Sequence, residues 1–288
     1  MPGLQFIKIL GNLKFYSHGL KLGSEWDSKY SIKDEAEQAN KGDKKAVPQL
    51  IPPWFMPSEI PNKFHQESCD KIGKEFKDFH DAMIDAVGFA HNMWKLQAKF
   101  KDLKVNAVTA LGTPGCLDGP ELESNIKNAP MCASFTGNKA KHRDAVAKGV
   151  SKCYKDWQDK VMVPGLPWFP SHAAFPGPMA APVPNIPMPL IVCPSAKCTD
   201  IMMPSAMAKA MDDALDGGLK DKDKTKQYEA LHDAIATVLS LAFVMWMPMQ
   251  QIMLVMGKGP IPTFAPPVVP VGPVVMGDNI GAPGHLMA

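Results

Sequence analysis

At 288 residues the chain is long enough for one large or two small domains. Its formal net charge of +2, with 21% charged residues, excludes a strong field that would draw it to nucleic acid. The outlying counts are 28 prolines and 19 methionines, and the prolines come in clusters. The opening Met1-Pro2-Gly3-Leu4-Gln5 has no basic segment followed by an apolar one, so the chain reads as made in the cytoplasm.

In chain order, residues 4–17 are predicted to form a β-hairpin, because two β-prone runs flank Gly11-Asn12, which suits a type II′ turn. Ser24 to Lys45 is charged and short of apolar residues, hence solvated. Pro48 to Pro61 is extended, with Trp54 and Phe55 as aromatic anchors against another surface. An amphipathic helix is predicted from about Pro61 to Lys101, because Ile72, Phe76, Phe79, Met83, Val87, Ala90 and Trp94 recur at steps of three and four. His80 and His91 lie about three turns apart on it, too far to share a metal, and read as solvated or capped.

The stretch 112–137 reads as a loop enclosing a short helix from Glu121 to Lys127. Its Gly112-Thr113-Pro114-Gly115-Cys116 lacks the lysine and spacing of a phosphate loop. A second long helix is predicted from Lys139 to Met162 on the stripe Val146, Val150, Cys153, Trp157 and Val161. Pro164 to Pro194 then carries ten prolines, a density that excludes helix and central strand. Interleaved large apolar groups, Trp168 and Phe169 among them, make it an ordered extended arm packed on a surface. Met203 to Leu219 reads as a helix weakened by Gly217-Gly218.

The organising stretch is Ala234 to Met256, which holds no charge. A helix without a polar face must be buried in protein or lipid. Pro248 interrupts it, and the uninterrupted piece from Ala234 to Met247 suits a buried core helix better than a membrane span. Its expected contact residues are Leu241, Met245, Trp246, Met249 and Met253, with methionines supplying adaptable packing. From Gly257 the chain is again proline-rich and extended.

The fold class these readings imply is mainly α: about four helices, long proline-rich arms and a small N-terminal hairpin. The divisions run 1–61, 62–162, 163–204, 205–256 and 257–288. The six cysteines Cys69, Cys116, Cys132, Cys153, Cys193 and Cys198 form no C-x-x-C and read as buried reduced thiols, with late disulfides as the alternative. No metalloprotease, nucleophile-elbow, nucleotide-binding or calcium-loop pattern occurs, so no catalytic, cofactor or metal residue is assigned and the chain reads as non-enzymatic.

In composition, Pro176 to Pro194 and Pro266 to His285 resemble the accessory structural proteins of phage virions and contractile tails, baseplate or spike-associated parts in particular. The resemblance implies an assembly subunit of a virion or similar particle, its arms packing on neighbouring subunits of the same or another kind; basic residues dispersed among acidic ones leave no patch for nucleic acid. The alternative is a membrane-active protein that inserts residues 234–256.

Overall fold

The structure is a computed structural model. It describes residues 3–18, 63–169, 175–223, 225–263 and 272–287, apart from the side chains of residues 16 and 63–70. The expected solvated segment 24–45, the anchors Trp54 and Phe55, and the side chain of Cys69 fall outside this description.

The expectation of a mainly α fold is wrong. The described residues are 51% helix and 20% strand, arranged as eight helices and three antiparallel sheets. The helices are α1 (Lys8–Ser17), α2 (Lys63–Gln97), α3 (Leu122–Lys127), α4 (Gly137–Gln158), α5 (Cys198–Met202), α6 (Pro204–Ala214), α7 (Gly217–Lys222) and α8 (Gln227–Trp246). The largest sheet has six strands: β2 (Lys104–Asn106), β3 (Thr109–Gly112), β5 (Val163–Pro167), β6 (Met179–Pro184), β9 (Met256–Pro260) and β10 (Gly277–Ile280), in the order β5-β3-β2-β10-β9-β6. Two small sheets join β1 (Lys99–Phe100) to β4 (Leu117–Asp118), and β11 (Leu286–Met287) to β8 (Gln251–Ile252) and β7 (Met188–Pro189).

Helix α8 is the axis of the helical half and packs against α1, α2, α5 and α6. Its apolar character is satisfied by protein: 72% of the window within Gln227–Met249 that is apolar enough for a membrane is buried. The helix ends where Pro248 removes a donor, passing through a 3-10 turn (Met247–Met249) into the two-residue strand β8, so the stretch to Met256 is helical only in its first part.

The hairpin expected at residues 4–17 is instead α1. Gly11 is not a turn residue. A Cβ there would lie 2.2 Å from His80 Nε2 and 2.6 Å from Val238 Cγ2, so the missing side chain is what seats α1 on α2 and α8. The same contact explains His80, which is buried at 2% exposure rather than solvated. His91 is likewise fully buried, in a box formed by Trp94, Tyr154 and Trp246 at ring distances of 5.8, 5.8 and 4.6 Å.

The proline-rich segments are not free-standing arms. Proline cannot donate within a ladder, which confines it to edge strands and strand ends. The six-stranded sheet obeys this: Pro164 and Pro167 sit in edge strand β5, Pro182 and Pro184 in edge strand β6, and Pro260 at the end of β9. The sheet then curls until its two edges meet. Trp168 pairs with Asn185 in an isolated bridge, the Ile186 N–H donates to the Pro167 carbonyl at 2.7 Å, and Trp168 Nε1 donates to the Val183 carbonyl at 3.0 Å. This gives a small barrel-like closure with Trp168, Leu166, Val105 and Val274 buried. Gly259 and Gly277 lie back to back, with a Cβ on Gly259 only 2.5 Å from the Gly277 Cα.

The five cysteines whose side chains are described are unpaired. Burial pushes Cys116 and Cys153 up to about 11 and Cys193 to about 12. Thiols react as thiolates. Peptide-resolved maleimide labelling of the native protein at pH 7 should therefore leave these three unmodified after an hour, while urea-unfolded chains label fully. Native labelling within minutes would contradict their placement.

Candidate functional site

An open cavity of about 530 Å³ lies between α2, α4 and α8. Ile72, Phe76 and Phe79, spaced four and three apart on α2, form one wall by helical periodicity. Leu231 of α8 and His142 of α4 close the inner end, and Lys71, Glu75, Asn138 and Lys139 complete the lining. Lys139 pairs with Glu75 at 3.6 Å, and the His142 ring meets Phe79 edge-on at 6.3 Å, so the charged pair lies one helical turn outward from the His142 end.

Behind His142 stands a buried polar pair. His232 is fully buried, its ring 6.1 Å from that of His142, and its Nδ1 lies 2.7 Å from Asp212 Oδ1. The carboxylate accepts from Nδ1–H when the ring is neutral, which leaves Nε2 as a lone pair without a partner among the described residues. His142 Nδ1 is also buried and unpartnered. Burial, then the neighbouring His232, push His142 down to about 4 against the opposing pull of Asp223, so the ring is neutral at pH 7. No group of three or more His, Cys, Asp or Glu able to hold a metal occurs among the described residues. The cavity wall is apolar along most of its length, with the neutral His142 ring at one end.

A second feature is an apolar solvent face. On the last turns of α2, Phe89, Met93 and Leu96 are exposed at 40%, 37% and 64%, spaced four and three apart. Helix α1 lies beside this stretch: a Cβ on Gly88 would touch Phe6, and Lys8 bonds Asp85 at 2.6 Å. Its own outer face carries Ile9 and Leu13, four residues apart and exposed at 67% and 46%.

The chain matches no family model, no curated protein and no solved structure.

The residues expected from sequence to make contacts are scattered by the fold. Trp168 and Trp246 are core residues, fully buried at 1% and 0% exposure. Phe169 and Met249 are exposed, and Leu241, Met245 and Met253 are half-buried. Sequence reasoning placed Phe76 and Phe79 on a packing stripe but did not single out His142, Leu231 or the Phe89–Met93–Leu96 face. Phe89, Met93 and Leu96 do repeat at helical spacing, and that signal was available. The cavity was not legible, because it exists only where three helices far apart in sequence converge.

Proposed function

We propose that this protein is a non-enzymatic subunit of a larger protein assembly, which it joins through the apolar face formed by the end of α2 and the outer side of α1. The observation that carries this reading is the row Phe89, Met93 and Leu96, left in water at helical spacing. Single exposed apolar residues are ordinary, but a row of them beside a second exposed pair on α1 is what an interface leaves when its partner is removed. The compositional resemblance of 176–194 and 266–285 to virion and contractile-tail accessory proteins suggests the kind of assembly. The membrane-inserting alternative is weaker, because most of the apolar window is already covered by protein.

The test is sedimentation. The tagged chain in native lysate should run well above its own 31.4 kDa. Phe89→Lys with Leu96→Lys should return it to the monomer position with an unchanged melting temperature, since both side chains already face solvent. A wild-type chain that sediments as a monomer in native lysate and when purified would overturn the proposal.

A further inference from the structure

Helix α1 runs antiparallel along α2. A Cβ on Gly3 would meet Asn92, one on Gly88 would meet Phe6, Lys8 pairs with Asp85, and the rings of Phe15 and Phe76 stack at 4.9 Å. Ile9 and Leu13 therefore lie level with the part of α2 between Asp85 and Phe76. Phe89, Met93 and Leu96 continue past the start of α1. The two exposed apolar rows are thus laid end to end, and they meet near the Lys8–Asp85 pair. Both contain a four-residue step, Ile9 to Leu13 and Phe89 to Met93, a rise of about 6 Å in each.

This strip carries no free charge. From Ala86 to the end of α2 no exposed side chain is charged, and Lys95 is buried. On α1 no exposed side chain from Leu4 to Leu13 is charged. The half-buried lysines at its borders are compensated within the chain, Lys8 by Asp85 at 2.6 Å and Lys14 by Asp233 at 3.2 Å. A partner of strong opposite charge finds nothing here to steer it, whereas a copy of the same chain meets no like charge. The size also fits. Ile9, Leu13, Phe89, Met93 and Leu96 are 37–67% exposed and together present on the order of 500 Å², so two copies would bury on the order of 1,000 Å², the area a specific interface must clear.

We propose, on the assembly reading, that the partner at this face is a second copy of this chain, docked about a two-fold axis with the α2 row of each copy on the α1 row of the other. A two-fold axis reverses the strip end for end, so each half meets the other half of the second copy. Phe89 then lies over Ile9 and Met93 over Leu13 of the second copy, and the equal four-residue steps keep the rows in register. The axis passes beside Lys8 and Asp85, where each residue comes close to its own counterpart. A lone charge there would face its like, but the bonded pair is neutral.

The experiment is sedimentation equilibrium of the purified full-length chain from ~1 to ~100 μM. The wild type should reach twice 31.4 kDa at the upper concentrations. Leu13→Lys and Met93→Glu, each at a position already exposed, should each weaken the dimer at least about tenfold, because two introduced charges then lie against apolar side chains. An equimolar mixture of the two variants should regain dimers. In the mixed pair one contact sets the introduced lysine against the introduced glutamate, and the other is the native contact of Met93 with Leu13. Should either variant fail to fold, the wild-type masses decide. A purified wild type that stays monomeric throughout overturns the second copy as partner; if the same chain runs large in native lysate, the assembly reading stands with a different partner. A dimer that survives both single variants, or a mixture no more dimeric than its components, overturns the two-fold arrangement.

Discussion

Gly149→Ala is expected to destabilise the protein, although alanine is the better helix former by about 1 kcal/mol. Gly149 lies inside α4 where that helix crosses α6. A Cβ there would meet Met211 at 2.6 Å from the backbone N, 2.7 Å from Cα and 2.8 Å from Cγ. Two of those three atoms are backbone, so no side-chain rotation relieves the contact and the helices must separate. Forced separation in a packed interior costs roughly 1–3 kcal/mol, and backbone contact puts this site at the upper end. The propensity gain offsets only part of that. A net loss of about 2 kcal/mol corresponds to a melting temperature lower by roughly 4–8 °C in a chain of this size. Gly217→Ala is the matched control: it begins α7, and a Cβ there meets nothing within 4 Å. Its melting temperature should be unchanged or higher. If Gly149→Ala matches Gly217→Ala, α4 and α6 are not in backbone contact.

Helices were the legible part of this fold. The stripe from Ile72 to Trp94 marked α2, Val146 to Trp157 marked α4, and Pro248 marked the end of α8. Each depends on local periodicity, which one segment carries by itself. The strands failed for different reasons. Gly11-Asn12 has the composition of a tight turn, yet glycine also serves close helix approach, and the neighbours that decide between the two, His80 and Val238, are far away in sequence. In β5 and β6, proline correctly excluded central strands, but the remaining option of an edge strand depends on the order of the whole sheet. The β2–β3 hairpin turns through Ala107 at φ 51°, a left-handed conformation for which alanine gives no warning. The candidate cavity was less legible still. One wall is a visible stripe, but His142 and Leu231 join it only through packing of α2, α4 and α8.

Acid should unfold this protein well before ordinary carboxylate titration would be invoked, and the reason lies in its buried histidines, His91, His142 and His285 foremost. His91 is fully buried among Trp94, Tyr154 and Trp246, with neither ring nitrogen partnered among the described residues. Burial, reinforced by the adjacent Lys95 cation, lowers it to about 3 against a weak opposing pull from the Asn92 side chain, which stands near the ring without the geometry of a hydrogen bond. His285 is 1% exposed and lowered by burial to about 4; its Nδ1 accepts the Phe100 N–H at 2.8 Å, a bond that a protonated ring cannot make. In the unfolded chain both rings titrate near 6.5. The folded values are the lower ones, so stability from this source is complete above about pH 6.5 and is lost as pH falls from there towards 4. Unfolding takes up about one proton per ring across that window. By linkage, going from pH 7 to pH 5 removes roughly 2 kcal/mol for each histidine. His142, which burial also lowers to about 4, adds a similar amount, and the sum of about 6 kcal/mol is a large share of the ~5–15 kcal/mol that holds a typical domain together. Urea unfolding at pH 7, 6 and 5 measures it directly. His285→Asn keeps an acceptor for the Phe100 N–H but has nothing to protonate, and it should cut the loss between pH 7 and 5 by about a third. Equal stability of the wild type at pH 7 and 5 would mean that these rings are hydrated in the folded protein rather than sealed in its core.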